Sequence, residues 1–493
     1  MRSQSQGRLE ELIQDQPWFT NRMFFPASPP GMLGQHEATL YYYLAKNVFR
    51  GAGTVVDAGS FLGKSAFYLA QGLKANRNYV PKRDRIHCFD NFTVNAGDTV
   101  DFFRNELGRT IAVGDSTRKI FDANLAPFAR MLEVHDGDFR TMAWTHQPVE
   151  ILVVDIAKSP ALGGRVVENF FQDLIPGESL VIHQDYHHPW LPHIHVTMEY
   201  LVDYFELVVP RVDDSAVFRC RKAIPAEVIQ RAAKYDFPDA EKVELMNRAV
   251  ARLPAEHRYY VELAGIVLRA WTVDSDILRG ELDRLERQFD REGKNYSANS
   301  YFAGVRHQID ISEGWRAQVE GRFERCLELS GRILARERNS NNLTMRGCAL
   351  IGLKRFNQAE EPLREALQFR PVSPWAYLEL SRALMSQEQF AEGETVLLRG
   401  FPDYAREGLS SIQYLEYLNL IWSRESPLPD KTNVMAMLHR NLPGDPEVWV
   451  MDARRLAMIG DRDGARNSLE AAAKLGLPET RVRQLRQGLG LEG

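Results

Sequence analysis

A chain of 493 residues is too long for one hydrophobic core, because single cores stop growing at about 250–300 residues. Hydrophobic residues make up 44% and charged residues 26%, the balance of an ordinary soluble protein. The formal net charge of −5 excludes a general attraction to nucleic acid or to an anionic membrane. We therefore expect two or more domains, and composition alone names no partner.

The cysteines and the lengths of the apolar runs indicate in which cellular compartment the protein is expected. The four cysteines are scattered without a Cys-x-x-Cys pair, so neither a disulfide framework nor a thiolate zinc site is indicated. The first residues are polar, and no run approaches the roughly 18 apolar residues of a membrane span. We expect a cytoplasmic protein without a membrane span.

Residues 1–50 are predicted to form a helical lid or cap. Within them, Met32–Leu44 contains Glu37 and three consecutive tyrosines, Tyr41 to Tyr43. One interpretation is a helix over the mouth of a binding site. The other, which we favour, is a packing helix with its tyrosines in the core.

The stretch VVDAGSFLGKS, residues 55–65, is the most informative motif. A β-branched run followed by Asp-x-Gly turns tightly at the carboxyl end of a strand, where open α/β sheets bind ligands. The Gly-x-x-x-Gly spacing differs from the Gly-x-Gly-x-x-Gly of dinucleotide sites, which weakens the case for phosphate binding. The motif predicts a nucleoside pocket in which Asp57 faces a cationic or hydroxyl-bearing group.

Residues 51–223 alternate short apolar runs with helical patterns, which predicts a Rossmann-like α/β domain. The last two strands are separated by the polar turn RVDDS and should close the sheet as an antiparallel pair. We predict seven strands, at Thr54–Val56, Arg85–Phe89, Leu132–His135, Ile151–Val154, Ser179–Ile182, Glu206–Pro210 and Ala216–Cys220.

A linker at 224–239, where Pro225 and Pro238 flank a short helix, precedes an all-α region at 240–493. Small and apolar residues recur at offsets typical of a helix-turn-helix repeat of about 34 residues. The stretches Asn342–Pro371 and Trp449–Ala472 carry the pattern best and resemble tetratricopeptide repeats. Other helical hairpin arrays share part of it.

Four sequence signals in the first domain resemble, in their order, those of class I S-adenosylmethionine-dependent methyltransferases. They are VVDAGSFLGKS, IHCFDNF, HDGDFRTM, and VEILVVDIAKS with LIPGESLVIHQDY. The closest resemblance is to the macrocin O-methyltransferase type. It implies S-adenosylmethionine as cofactor, with Asp57 at the methionine amino group and Asp90 at the ribose hydroxyls. The alternative for these two carboxylates is a helix cap or a solvated loop end. The implied cofactor-binding residues are Asp57, Gly59, Ser60, Gly63, Ser65, Asp90, Asn91, Asp136, Gly137, Asp138 and Asp155.

The same resemblance implies a magnesium site at the ends of the fourth and fifth strands, with Asp155, Gln184 and Asp185 as ligands. Macrocin-type enzymes carry Asp-Asp on the fifth strand, and Gln184 replaces the first of that pair, which should weaken the site. Lys158 stands where related catechol-type enzymes place a catalytic lysine. An equal alternative is a solvated lysine at a helix start.

Five of the twelve histidines fall within IHQDYHHPWLPHIHVTMEYL: His183, His187, His188, His193 and His195. Imidazole suits a general base or a metal ligand, and we expect His187 and His188 to be catalytic. His193 and His195 offer a His-x-His metal pair. For any single histidine, the alternative of a polar residue packed against Trp190 and the prolines is stronger.

Three functions fit these residues. The leading one is O-methylation of a sugar, glycan or other small-molecule hydroxyl, with or without Mg²⁺. The second is a non-catalytic cofactor-binding scaffold whose repeats bind protein partners. In the third, the repeats recruit a protein substrate, since helical arrays present concave surfaces. Self-association through the repeats is a further role, and no nucleic-acid partner is expected because no basic, aromatic-interleaved stripe is present.

Overall fold

The computed structural model describes residues 4–81, 83–94, 97–291, 297–406, 415, 418 and 432–491. The chain divides into two compact units, Met1–Ile309 and Asp310–Gly493. The first unit extends beyond the predicted linker at 224–239, because apolar side chains of the helices that follow it join the core under the sheet. No helix in the described ranges is long and apolar enough to cross a membrane.

A seven-stranded mixed sheet forms the centre of the first unit. Its strands are β1 (Thr54–Ala58), β2 (Ile86–Asp90), β3 (Leu132–Asp136), β4 (Val149–Val154), β5 (Leu180–His183), β6 (Phe205–Val212) and β7 (Ser215–Cys220). The order is β3-β2-β1-β4-β5-β7-β6, in which β1 to β5 run parallel and β7 pairs antiparallel with both β5 and β6. The predicted strand number and the closing antiparallel pair are confirmed.

The helices described in the first unit and across its end are α1 (Gln4–Asp15), α2 (Pro17–Thr20), α3 (Gln35–Tyr43), α4 (Lys64–Lys74), α5 (Gly97–Leu107), α6 (Arg118–Leu125), α7 (Pro160–Phe170), α8 (Pro192–Tyr200), α9 (Ala226–Lys234), α10 (Asp239–Arg252), α11 (Arg258–Arg269), α12 (Ser275–Arg291) and α13 (Ser297–Val319). The predicted short helix between Pro225 and Pro238 is α9.

Two apolar layers cover the sheet because neighbouring residues of a strand point to opposite faces. Val55 and Val153 face the layer that contains α3 and α4, whereas Val56 and Leu152 face the layer that contains α7 to α11. Strands β1 and β4 are therefore buried on both faces, which explains their continuous apolar sequence.

The second unit is helical throughout its described part. Its helices are α14 (Phe323–Arg336), α15 (Ser340–Gly352), α16 (Phe356–Ala366), α17 (Pro374–Met385), α18 (Phe390–Arg406), α19 (Thr432–Asn441), α20 (Pro446–Met458), α21 (Arg462–Lys474) and α22 (Glu479–Gly488). Consecutive helices pack against each other, as in α15 with α16 and α20 with α21.

Candidate functional site

Four carboxylates lie at one edge of the sheet. Asp57 and Asp90 end β1 and β2, and Asp155 and Asp185 follow β4 and β5. These strands are parallel and adjacent in the sheet, so their carboxyl ends meet. The direction of winding reverses between β1 and β4, and ligands of open α/β sheets bind at such a switch point. This edge is the candidate site.

The turn after β1 requires glycine at two places. At Gly59, φ is +105°, and a Cβ would lie 2.8 Å from the carbonyl carbon of Asp155. At Gly63, φ is +90°, and a Cβ would lie 2.7 Å from a methyl carbon of Leu125. Both residues allow the backbone to pass close to its neighbours, and the turn forms a cradle between β1 and α4.

Asp57 is fully buried, which excludes the solvated loop end. Its Oδ2 accepts a hydrogen bond from the Ser65 hydroxyl of α4 at 2.8 Å, and the Ser60 hydroxyl donates to the Asp57 backbone oxygen at 3.0 Å. Oδ1 is buried and has no hydrogen-bond partner among the described residues. Burial raises the pKa of Asp57 to about 6. Such an acceptor fits a cationic group of a ligand.

Asp90 connects the first two turns of the site. Its Oδ2 accepts from the Phe61 amide at 2.8 Å and its Oδ1 from the Phe92 amide at 2.7 Å. Burial raises the pKa of this carboxyl despite these bonds. Each oxygen keeps a lone pair, so Asp90 can still accept two hydroxyl groups. The next residue, Asn91, accepts from the Thr93 amide at 3.1 Å and shapes the turn.

The turn after β3 is more exposed. The Gly137 amide donates to the Asp90 backbone oxygen at 3.1 Å, and Asp136 accepts from an arginine of α6 at 3.0 Å. Asp138 caps the short helix Phe139–Thr141 and binds the Arg140 guanidinium, which lowers the pKa of its carboxyl. Asp136 and Gly137 therefore lie at the end of β3 beside Asp90, whereas the Asp138 carboxylate is engaged locally.

Lys158 lies between the carboxylates of β4 and β5. Its Nζ is 2.5 Å from Oδ1 of Asp155 and 2.5 Å from Oδ2 of Asp185. Burial alone would lower the pKa of Lys158, but the two carboxylates outweigh it and the pKa is raised. Burial raises the pKa of Asp155, against the effect of Lys158. Lys158 is thus an ammonium that can donate hydrogen bonds, not a base, and it is not a freely solvated side chain.

The residues predicted to hold Mg²⁺ fit that ion in their chemistry. Asp155 and Asp185 are carboxylates at neighbouring strand ends. The backbone amide of Gln184 donates a hydrogen bond to the backbone oxygen of Val154 at 3.0 Å, which continues the β4–β5 ladder past the end of β5. Oxygen ligands of this kind suit a hard divalent cation. Lys158 supplies positive charge to the same two carboxylates, so an ion and this ammonium would compete for them.

Three of the five clustered histidines are structural. All three are buried, and each ring is bound to a backbone carbonyl: His187 to Pro210 at 2.8 Å, His193 to Ala157 at 2.9 Å and His195 to Tyr186 at 2.6 Å. His187 is thus enclosed and held by the Pro210 carbonyl, and its catalytic role stays a prediction. His193 and His195 both lie on α8, where positions i and i+2 do not face each other, so the structure does not bring them together as a metal pair.

His188 differs from the other four. The structure describes all five histidines of the cluster, and of these only His188 is half-buried rather than buried. Its Nδ1 is buried without a hydrogen-bond partner in the described ranges, as are both ring nitrogens of His183, and its ring packs edge-on against Tyr301, with centroids 5.8 Å apart. Burial lowers the pKa of His188, so the imidazole is neutral at pH 7 and can accept a proton.

Two tyrosines beyond the sheet were not identified from the sequence. Tyr260 of α11 and Tyr301 of α13 pack edge to face at 5.7 Å, and the Arg211 guanidinium lies 4.3 Å from the Tyr260 ring centre. They form an aromatic wall beside His188. Nothing in their local sequence indicates this role, since they follow β5 by more than 70 residues in a helical region without a clear repeat.

Helix α3 confirms the packing interpretation of the tyrosine run. All three tyrosines are buried in the core with Glu37. Glu37 accepts from the Gly34 amide at 2.9 Å and from the Ser215 hydroxyl at 2.6 Å, and burial raises its pKa to about 8. The helix thus fixes the sheet to the amino-terminal segment.

A cleft of about 390 Å³ lies elsewhere in the first unit. Its lining includes Tyr186, Glu199, Phe218 and Arg252, and none of the predicted site residues. The convergence of strand ends at the carboxylate edge is a stronger indication of the functional site than the size of this cleft.

Comparison of the chain with known protein families and with curated proteins finds no match in either.

Proposed function

We propose that the chain is an S-adenosylmethionine-dependent methyltransferase that acts on a hydroxyl of a sugar, glycan or other small molecule. The observation that carries this proposal is the pair of buried carboxylates, Asp57 and Asp90, at the ends of adjacent parallel strands beside a glycine turn. The seven-stranded sheet with a closing antiparallel pair supports it, because the sequence resemblance implies such a sheet.

The residues would hold the cofactor as follows. The unpartnered Oδ1 of Asp57 would accept the ammonium of the methionine part, and Asp90 would accept the ribose hydroxyls. Gly59 and Gly63 would let the turn enclose the methionine part, and Gly137 would border the adenine. The donor and acceptor types match in each case.

The acceptor hydroxyl would lie between the β4 and β5 ends and the wall formed by Tyr260 and Tyr301. When bound, the cofactor supplies an electrophilic methyl group. The Lys158 ammonium would hold the acceptor oxygen by a hydrogen bond, and the partly exposed imidazole of His188 would receive the hydroxyl proton as the oxygen attacks. The main contribution of the protein is alignment of the oxygen with the methyl group.

A magnesium ion, if bound, would be held by Asp155, Gln184 and Asp185 and would acidify the acceptor hydroxyl. The Gln184 side chain supplies a neutral oxygen where macrocin-type enzymes have a carboxylate. We propose that the ion is dispensable here, because Lys158 already supplies positive charge at this position.

Titration of the full chain with S-adenosylmethionine by calorimetry tests the proposal. Asp90→Asn should weaken binding by about 10-fold or more, since hydrogen bonds to a charged group contribute about 1.5–3 kcal/mol. Asp101→Asn removes an exposed carboxylate of α5 and should leave binding unchanged. Absence of binding at millimolar cofactor would exclude the proposal.

A second function, a cofactor-binding scaffold without turnover, is favoured by one departure from the family. Gln184 follows β5 at a position where macrocin-type enzymes have a carboxylate, beside the proposed acceptor position. The scaffold predicts that the chain binds the cofactor but transfers no labelled methyl group to any of a panel of hydroxyl acceptors. Transfer to any acceptor that is lost in His188→Ala would exclude it.

We also propose that the helices of the second unit are tetratricopeptide-like repeats that bind a protein or a second copy of the chain. Close helix contact supports this: a Cβ on Gly347 would lie 2.4 Å from Leu363, and Ala465 and Ala472 are fully buried. Sedimentation of the full chain over a range of concentrations tests self-association. If the chain is a monomer at every concentration, self-association is excluded and the repeats would bind a different protein.

A further inference from the structure

We propose that His87, Glu133 and His135 form a binding site for a divalent transition metal ion, with Zn²⁺ as the first candidate. The three side chains lie on β2 and β3, with His135 directly before Asp136, and the proposal does not depend on the methyl-transfer function. One ligand atom of each side chain lies within 4.8 Å of the others.

The strand register brings the three side chains together. Strands β2 and β3 are parallel neighbours, and His87 is opposite Glu133. Glu133 and His135 are two residues apart on β3, so their side chains point to the same face. As a result, Nδ1 of His87 lies 3.1 Å from Nε2 of His135 and 3.9 Å from Oε2 of Glu133.

These distances are close to those of a zinc site. Ligand nitrogens at about 2.0–2.1 Å from tetrahedral Zn²⁺ are about 3.3 Å apart. The Glu133 side chain is 53% exposed and can move to complete the set, while His87 is 2% exposed and held by the fold. A hydrogen bond between the two imidazoles would also explain the 3.1 Å distance, but it gives no role to Glu133.

Aromatic neighbours fix the two imidazole rings. Phe89 stacks on His135 with centroids 4.1 Å apart and planes at 6°, and Trp144 packs edge-on against His87 at 5.0 Å. A metal site gains affinity when its ligands are already oriented, because less freedom is lost on binding.

The ligand types select the ion. Two imidazoles and one carboxylate suit Zn²⁺ and similar borderline ions, whereas Mg²⁺ prefers oxygen ligands alone. Strand β3 is at the edge of the sheet, and Glu133 is exposed there, so a fourth position would be open to water. Three protein ligands with one open position is a recurrent zinc arrangement.

The test is Zn²⁺ titration of the full chain after removal of metals with a chelator, followed by calorimetry and metal analysis. We expect one equivalent of tightly bound Zn²⁺. His135→Ala and Glu133→Gln should each weaken this binding by about 10-fold or more, since even changes to residues behind the ligands cost 10–100-fold. The control His146→Ala removes an exposed histidine paired with Asp173 and should bind like the wild type.

Neither test variant alters a fully buried side chain, and circular dichroism would verify that both are folded. The bound ion can also be replaced by Co²⁺, whose visible absorption should be that of a tetrahedral site and should disappear in His135→Ala. The proposal would be overturned if the wild-type chain binds no Zn²⁺. It would also be overturned if His135→Ala and Glu133→Gln bind Zn²⁺ as well as the wild type does. Equal loss in His146→Ala would do so too.

Discussion

Asp57→Asn should gain stability relative to the wild type as pH rises, while it abolishes cofactor binding. Asp57 is fully buried and its Oδ1 has no partner in the described part of the chain, so its charge is poorly compensated. Burial raises its pKa from 3.8 to about 6. Since one pKa unit corresponds to about 1.4 kcal/mol, the ionised carboxylate costs the folded state about 3 kcal/mol above pH 6.

The sign of the pH dependence follows from linkage. The folded state binds the Asp57 proton more tightly than the unfolded state, so stability from this group is present at low pH and is lost as pH rises from about 4 to 6. Asn resembles the protonated acid and does not titrate. The free energy of unfolding of Asp57→Asn relative to wild type should therefore rise by about 1.5 kcal/mol between pH 5 and pH 8.

The pH difference is the useful quantity, because constant effects cancel. The Asn amide places an N–H group next to the Ser65 hydroxyl or at the unpartnered position, which costs about 1–3 kcal/mol at every pH. Urea unfolding of the full chain at several pH values, with hydrogen exchange of the β1 amides, would measure the trend. Asp101→Asn controls for the loss of one negative charge. A difference that does not change with pH would refute the assignment of a poorly compensated charge.

Two further predictions concern stability alone. In thermal unfolding, Gly59→Ala should destabilise the first unit by about 2–4 kcal/mol, because φ is +105° and the added Cβ would meet Asp155. The control Gly177→Ala should cost only about 1 kcal/mol in the same assay, because φ is +80° but no atom of the described residues lies within 4 Å of the added Cβ. Glu199→Gln should cost about 1–3 kcal/mol in chemical unfolding, because Glu199 is buried and accepts two hydrogen bonds from Arg252, whose own side chain is half exposed. Equal effects of the two glycine variants, or no effect of Glu199→Gln, would contradict these predictions.

The sheet could be predicted because its signal is local. Strands that are buried on both faces have continuous apolar sequences, and β1 and β4 were identified to within a few residues from that pattern. The extent of the first unit could not be predicted in this way. Residues such as Leu245 and Val261 join the core under the sheet, and their helical periodicity does not indicate which surface they bury.

The site was predictable where the backbone dictates it. The ends of adjacent parallel strands must converge, so the placement of Asp57, Asp90 and Asp155 at one edge followed from the order of the motifs. The roles of histidines were not predictable, because a local pattern does not show whether a ring faces a carbonyl, as in His187, or a partly open position, as in His188.

The charge at the β4 and β5 ends determines how the two proposed functions can be separated. Macrocin-type enzymes have a further carboxylate where this chain has Gln184, and Lys158 adds a positive charge within 2.5 Å of both remaining carboxylates. Both features, of which only Gln184 departs from the related enzymes, lower the local negative charge and hence the attraction for Mg²⁺. They also provide a hydrogen-bond donor for the acceptor oxygen without a metal. Independence from Mg²⁺ would thus be expected of the enzyme as much as of the scaffold, and only transfer of the methyl group distinguishes them.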